Sequence, residues 1–304
     1  MALRAYLYGS LALAVAFVAL PLVALLVQVT PADLLGQLGS AEARAALLVS
    51  LQTSLAALAL VLVLGTPVAY LLARGELPCR RALTTLFELP LVLPPAVAGM
   101  ALLAAFGSAG LLGDELRALG IELKLTRVAV VIAIAFVASP LYIRQAQTAF
   151  ATVDRRLVEA GRALGSGPWR NFVRVELPLA ADGISAGAAM AWARGLGEFG
   201  ATMLFAGSLT GVTQNLTLTI YAELDRDFGV SIALAALLLA VSLVVLAAAR
   251  LFQGGGPAGA GVAARALARL SARPARRAAA QPRARGPARA PRSTLHRPAR
   301  SPGG

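Results

Sequence analysis

Long stretches without a charged residue constrain this chain more than any other feature of its sequence. Four uncharged stretches lie between Arg4 and Asp33, Arg44 and Arg74, Glu88 and Asp114, and Asp227 and Arg250. A helix of about 20 apolar residues crosses the ~30 Å hydrocarbon layer of a bilayer. These stretches therefore predict an integral membrane protein that crosses the bilayer several times.

Two further stretches are weaker candidates for membrane helices. Residues 128–143 are uncharged but short, and the flanking Arg127 and Arg144 can extend toward the headgroups. Residues 183–205 are apolar apart from Arg194 and Glu198. We therefore predict an all-α integral membrane fold with about six transmembrane helices. The predicted spans are 6–29, 46–72, 89–108, 127–146, 182–206 and 229–250. The first is too long for a signal peptide, and we expect it to be retained.

The net charge of +13 comes almost entirely from the C-terminal end of the chain. Residues 1–249 contain 16 basic and 15 acidic side chains, whereas residues 250–304 contain 12 arginines and no acidic residue. A segment of Arg, Pro, Ala and Gly cannot bury a core, so we predict a disordered tail over 253–304. Because no aromatic residues alternate with the arginines, we expect a solvated tail near anionic lipid headgroups and no nucleic-acid binding.

The basic residues outside the tail are distributed unevenly between the two sides of the predicted membrane domain. Arg4 and the loops at 73–88 and 144–181 contribute ten basic residues, whereas the opposite loops contribute five. The positive-inside rule then places both termini and the long 144–181 loop in the cytosol.

The 144–181 loop is long for a connection between membrane helices. Asp154 can cap a helix over 155–164, and residues 165–168, Gly-Ser-Gly-Pro, interrupt it before a second stretch at 169–175. This pattern predicts a helix-turn-helix on the membrane surface. Its predicted apolar contacts are Leu157, Ala160, Leu164 and Trp169.

The same loop carries a spaced motif. Glu159-Ala160-Gly161, three residues, Gly165, nine residues and Val175-x-Leu177-Pro178 resemble the EAA loop of bacterial ABC-importer permeases. Gly161 stands where that pattern has its second alanine, which softens the helix by up to ~1 kcal/mol. The resemblance implies a coupling helix that docks on an ATP-hydrolysing subunit; the alternative is an amphipathic helix that rests on lipid headgroups. The coupling residues implied are Glu159, Ala160, Gly161, Leu164, Gly165, Trp169 and Pro178.

Three other segments narrow the resemblance. Residues 89–107 (LPLVLPPAVAGMALLAAFG), 127–146 and 193–221 are similar to molybdate permease subunits, which are related to sulfate and thiosulfate permeases. The resemblance covers about residues 45–250. It implies a permease core over 46–252, preceded by the first span and an outer loop over 1–45. The resemblance implies the permease of an ATP-driven importer of molybdate or tungstate, and a sulfate or thiosulfate permease is the alternative.

Motifs for catalysis are missing from the sequence. The only lysine, Lys124, follows no glycine loop, so the chain has no P-loop; the lone His296 and Cys79 have no partners for catalysis. We expect no enzyme activity, cofactor or metal site on this chain. An ion-coupled secondary transporter is the alternative from another class, but it would not need a loop with EAA spacing.

The partners are implied by the resemblance. They are a second copy of the chain, two ATP-binding cassette ATPases on the 154–169 loops, and an extracytoplasmic oxyanion-binding protein. ATP and Mg²⁺ would bind to the partner ATPase. The resemblance places the protein in the bacterial cytoplasmic membrane.

Two sets of residues are candidates for the translocation pathway or a helix interface. A proline in a membrane helix leaves a carbonyl group without its helical hydrogen bond, and helix breaks of this kind often line a cavity. Pro94, Pro95 and Gly99 therefore predict a kinked span beside the pathway; the alternative is a kink that only packs against neighbouring helices. Arg194, Glu198 and Thr202 form a polar row beside a seam of small residues that includes Gly195. The pair either offers positive charge to a passing anion or clamps helices without meeting substrate.

Overall fold

The computed structural model describes residues 2–254, apart from 31, 33, 35, 37, 38 and 76. All regular elements in this part of the chain are helical. The helices are α1 (Ala2–Val27), α2 (Ala41–Arg74), α3 (Arg80–Val92), α4 (Pro95–Phe106), α5 (Gly113–Ala118), α6 (Arg127–Ala151), α7 (Arg155–Ala163), α8 (Pro168–Asn171), α9 (Leu177–Leu179), α10 (Ala181–Leu196), α11 (Gly200–Phe205), α12 (Leu216–Glu223) and α13 (Phe228–Gly254). The predicted tail beyond residue 254 lies outside the described residues.

Helices α2 and α6 form the centre of the fold. Side chains cap both at their first turns: Ser40 Oγ accepts from Ala43 N at 3.2 Å, and Thr126 Oγ1 accepts from Ala129 N at 3.3 Å. Gly65 of α2 leaves room for the ring of Tyr142, since a Cβ there would lie 2.8 Å from Tyr142 Cδ1. This close contact lets the two long helices pack along their length.

Helix α10 packs on α6 through the seam of small residues seen in the sequence. A Cβ at Gly187 would lie 3.0 Å from Gln145 Cβ, and a Cβ at Gly195 would lie 2.7 Å from Ile134 Cγ2. Larger side chains at these positions would push the helices apart, so the glycines set the distance between α10 and α6.

The spans do not match the prediction of six continuous helices. Four helices (α1, α2, α6 and α13) are long and apolar enough to cross a membrane, and α3 with α4 could supply a fifth span. The span predicted at 89–108 starts at Arg80, and α4 turns by 115° relative to α3. Leu93 and Pro94 each precede a proline and adopt extended conformations, with ψ of 135° and 138°, which ends α3.

The prediction of one helix over 182–206 is wrong. The chain leaves the helical path after Leu196 and resumes it at Gly200, where Phe199 has φ −124° and ψ −58°. Glycines at 195, 197 and 200 lower the helix propensity of this segment. The apolar composition that indicated a span therefore conceals a break in it.

Candidate functional site

The 154–171 segment forms the predicted helical hairpin. The Asp154 Oδ1 accepts from Arg156 N at 2.9 Å and begins α7, and Gly165 ends the first half with a left-handed φ of 81°. Pro168 then starts α8, where its missing N–H has no cost. The first helix, the break and the second helix are as expected from the sequence, although α8 ends at Asn171.

The two halves of the hairpin are joined by Asn171. Its Nδ2 donates to Val158 O at 3.0 Å, and its Oδ1 fills the space where a Cβ at position 161 would lie. Asn171 and Val158 are 1% and 3% exposed. Gly161, the departure from the EAA pattern, therefore has a packing reason.

Two large apolar side chains of the hairpin are mostly exposed. Leu164 is 87% exposed and Trp169 is 75% exposed, so both stay available for a surface outside the chain, whereas Val158 is buried inside the hairpin. The other implied coupling residues lie on the exposed or half-buried surface of the hairpin and its exit: Glu159, Ala160, Gly161, Gly165 and Pro178.

The hairpin leads into a widened helical turn over Phe172–Glu176. Leu177 N donates to Phe172 O, five residues earlier, in the pattern of a π-helix. Pro178 has no N–H to donate to the preceding turn, which favours this wider geometry. The turn places Glu176 in the interior, where it forms an ion pair with Arg74 at the end of α2. The sequence prediction missed this pair; its signal was an isolated acid before Leu-Pro.

Two broken helices meet at a second site. A Cβ at Gly200, the first residue of α11, would lie 2.6 Å from Pro95 Cβ of α4. A Cβ at Gly99 would lie 3.0 Å from both Cα and O of Ala201. The structure thus brings the start of α4, just after the break at Leu93 and Pro94, into direct contact with the start of α11 at Gly200.

The predicted Arg194–Glu198 pair forms at this second break. Arg194 Nη1 lies 2.7 Å from Glu198 Oε2, and the side chains are 33% and 1% exposed. The other carboxylate oxygen, Oε1, accepts from Ala201 N at 2.9 Å and caps α11. Glu198 therefore joins the two halves of the broken helix, while part of Arg194 stays accessible.

The backbone at Glu198 is held by two further residues that the sequence prediction missed. Glu198 O accepts from Thr217 Oγ1 at 2.8 Å and from Asn215 Nδ2 at 3.3 Å. Asn215 also caps α12 by accepting from Leu218 N at 3.0 Å, and an Asn before an apolar run could have revealed this cap. Thr202 is fully buried in α11, and its hydroxyl has no hydrogen-bond partner among the described residues.

Helix α2 makes hydrogen bonds to α10, which precedes the break, and to α12, which holds the backbone at Glu198. Ser50 Oγ accepts from Leu216 N at 2.7 Å, and Ser54 Oγ accepts from Trp192 Nε1 at 3.0 Å. These bonds satisfy polar groups in an otherwise apolar interior and fix α2 beside α10 and α12. Among the described residues, no three His, Cys, Asp or Glu side chains come together in a way that could hold a metal ion.

Comparison with solved structures shows the same fold in a known transporter. A chain from the crystal structure of a bacterial ABC transporter involved in the import of the acidic polysaccharide alginate superposes with a TM-score of 0.64. The two chains are 20% identical, and the match covers 83% of this chain and 94% of the other.

Sequence comparison gives the family. Residues 65–254 match the family of binding-protein-dependent transport system inner membrane components. The molybdenum transport system permease protein ModB of Mycobacterium tuberculosis is 40% identical over 76% of this chain and 88% of its own length. The sulfate transport system permease protein CysT of Escherichia coli is 34% identical over 60% of this chain and 67% of its own length. The chain thus belongs to the binding-protein-dependent inner membrane components, the permeases of ABC importers.

Proposed function

We propose that this chain is the membrane permease of an ATP-driven importer for molybdate or tungstate. The observation that carries the proposal is the 40% identity over 88% of a molybdenum permease. The sulfate permease is 34% identical over a smaller share of its length, which makes sulfate the second candidate.

The exposed surface of the hairpin supports docking on a separate ATPase. Leu164 and Trp169 are large apolar side chains that are 87% and 75% exposed, and such surfaces favour contact with a partner protein. Glu159 and Arg162 lie beside them and offer charges of both signs. ATP and Mg²⁺ would bind on that partner, and closure of two ATPases would displace the hairpins of two permease copies.

The arrangement in the membrane follows from the arginine distribution. The hairpin and both termini would lie in the cytosol, because most basic loop residues outside the tail are on that side. We propose that α9, α10 and α11 together complete the sixth crossing despite their break. A binding protein would deliver the oxyanion to the opposite face, at a pathway between the two copies.

Arg194 is the residue that we propose contacts the anion. It is 33% exposed beside the break, whereas its partner Glu198 is buried and bound to α11. A carboxylate that neutralises part of the charge would let the anion bind without being trapped. Pro94, Pro95, Gly99, Gly195 and Thr202 would shape this part of the pathway.

Transport in reconstituted vesicles tests the proposal. The chain would be inserted with its ATPase and binding protein, and uptake of radiolabelled molybdate measured with competing tungstate or sulfate. We expect uptake that requires ATP and that tungstate inhibits far more strongly than sulfate. Equal inhibition by sulfate would favour the sulfate permease, and uptake driven by an ion gradient without ATP would favour a secondary transporter.

A further inference from the structure

A buried ion pair joins the end of the hairpin segment to α2. Arg74 is the last residue of α2, and its partner Glu176 ends the widened turn and is 1% exposed. Glu176 Oε1 also accepts from the Tyr70 hydroxyl at 3.2 Å. Opposite charges attract strongly away from water, and the loss of one partner leaves an uncompensated buried charge. The pair therefore fixes the position of the turn on α2.

Aromatic rings connect the same elements. The Tyr70 ring packs edge-on against Phe172, with centroids 4.8 Å apart, and against Phe150 of α6 at 5.4 Å. Phe172 in turn lies 5.9 Å from the exposed Trp169. A continuous set of contacts thus runs from the exposed face of the hairpin to α2.

The first half of the hairpin is less closely connected to α2. A cavity of about 400 Å³ lies between the end of α2 and α7, lined by residues that include Leu71, Arg74, Glu159 and Arg162. The hairpin is therefore connected to α2 mainly through the turn that follows it.

Helix α2 continues from this pair to the second site. It is one helix of 34 residues, so Ser50 lies roughly 36 Å from Arg74 at 1.5 Å per residue. Ser54 accepts from Trp192 of α10, which precedes the Glu198 break, and Ser50 accepts from Leu216 of α12, whose neighbours Asn215 and Thr217 hold Glu198 O. A displacement of Arg74 along the helix axis would therefore reach that break.

We propose that Arg74 and Glu176 are positioning residues for coupling. They make the hairpin and α2 move together, so that displacement of the docked hairpin reaches the broken helix through α2 as well as through α10. The inference rests on the proposed coupling to an ATPase and does not depend on which anion is carried.

The test compares variants of Glu176 in the complete transporter in vesicles. Glu176→Gln removes the charge and keeps an oxygen that can accept from Tyr70, and Glu176→Asp restores the charge. As a matched control, Glu223→Gln removes the carboxylate from the Arg226–Glu223 pair, whose atoms lie 3.2 Å apart near the end of α12. The measured quantities are anions transported per ATP hydrolysed and the amount of folded protein.

We expect Glu176→Gln to lower the number of anions transported per ATP about tenfold. A factor of this size corresponds to a typical interaction free energy between residues in contact. Glu176→Asp should recover part of the loss, and Glu223→Gln should match the wild type. A role in stability alone would reduce the amount of folded protein at an unchanged ratio, and that result would overturn the inference.

A second variant covers the case in which Glu176→Gln does not fold. Tyr70→Phe removes only the hydroxyl that donates to Glu176, and we expect it to lower the ratio about twofold to fivefold. An unchanged ratio in folded Tyr70→Phe would then overturn the inference. If the wild-type assembly shows no ATP-driven transport, the proposed function fails together with the inference; an active wild type with unaltered variants contradicts the inference alone.

Discussion

The side chain of Asn171 occupies the space in which an alanine at position 161 would place its Cβ atom. We therefore expect Gly161→Ala, which restores the EAA pattern, to destabilise the hairpin by about 1–3 kcal/mol through overpacking. Thermal unfolding and ATP-dependent uptake measure the effect. The double variant Gly161→Ala with Asn171→Ala should regain part of the stability, because the clash is gone although the bond to Val158 O is lost. Full stability in the single variant would contradict this account.

Position 165 needs glycine because of its backbone conformation; a larger side chain would have room there. Its φ is 81°, and nothing lies within 4 Å of a Cβ placed there. Gly165→Pro should disrupt the turn and uncouple ATP hydrolysis from uptake, because proline holds φ near −65°. Gly165→Asn should retain most activity, since asparagine tolerates the left-handed region. Equal uptake by both variants, with equal recovery of the ATPase on purification, would rule out the turn as a coupling element.

Gly197 and Gly200 lie near each other in the chain but should respond differently to alanine. A Cβ at Gly200 would lie 2.6 Å from Pro95 Cβ, whereas at Gly197 the nearest atoms are 3.9 Å away. We expect Gly200→Ala to separate α4 from α11, to cost about 1–3 kcal/mol and to slow uptake. Gly197→Ala serves as the control and should be close to wild type in stability and in uptake. Similar losses in the two variants would show that the glycines matter for flexibility and not for close packing.

Neutral side chains can separate the two roles of the Arg194–Glu198 pair. Because Glu198 Oε1 also caps α11, replacement by leucine would remove the cap together with the charge. Arg194→Gln with Glu198→Gln retains hydrogen-bonding side chains at both positions. The double variant also avoids an unpaired buried charge, which a single substitution would create at a cost of about 3–5 kcal/mol. We expect the rate of uptake by this folded double variant to fall at least about tenfold, because the anion would lose a charged hydrogen bond to Arg194. Wild-type uptake would show that Arg194 is not on the anion's route.

The hairpin could be predicted in detail because its signals are local. Asp154 begins α7, Gly165 ends it and Pro168 starts α8, and each residue acts on its own turn of the chain. Most membrane crossings could be predicted for a related reason, since apolar composition over about 20 residues is sufficient.

The remaining features depend on contacts between distant parts of the chain. Pro94 and Pro95 predicted a kink, but the 115° turn brings α4 against α11, and that packing cannot be inferred from either segment alone. The break at Glu198 is stabilised by Asn215 and Thr217, which lie at the start of the later helix α12. Arg74 and Glu176 likewise meet only in the folded chain.

The positions of the two tryptophans allow their intrinsic fluorescence to report on two different parts of the chain. Trp169 is exposed on the hairpin, whereas the half-buried Trp192 donates its indole N–H to the Ser54 hydroxyl. Replacement of either one by phenylalanine leaves a single emitting indole. Fluorescence from Trp169 would then follow the arrival of a protein on the hairpin, and fluorescence from Trp192 would follow separation of α2 from α10. The order of these two events during a transport cycle could be read in time without an added label.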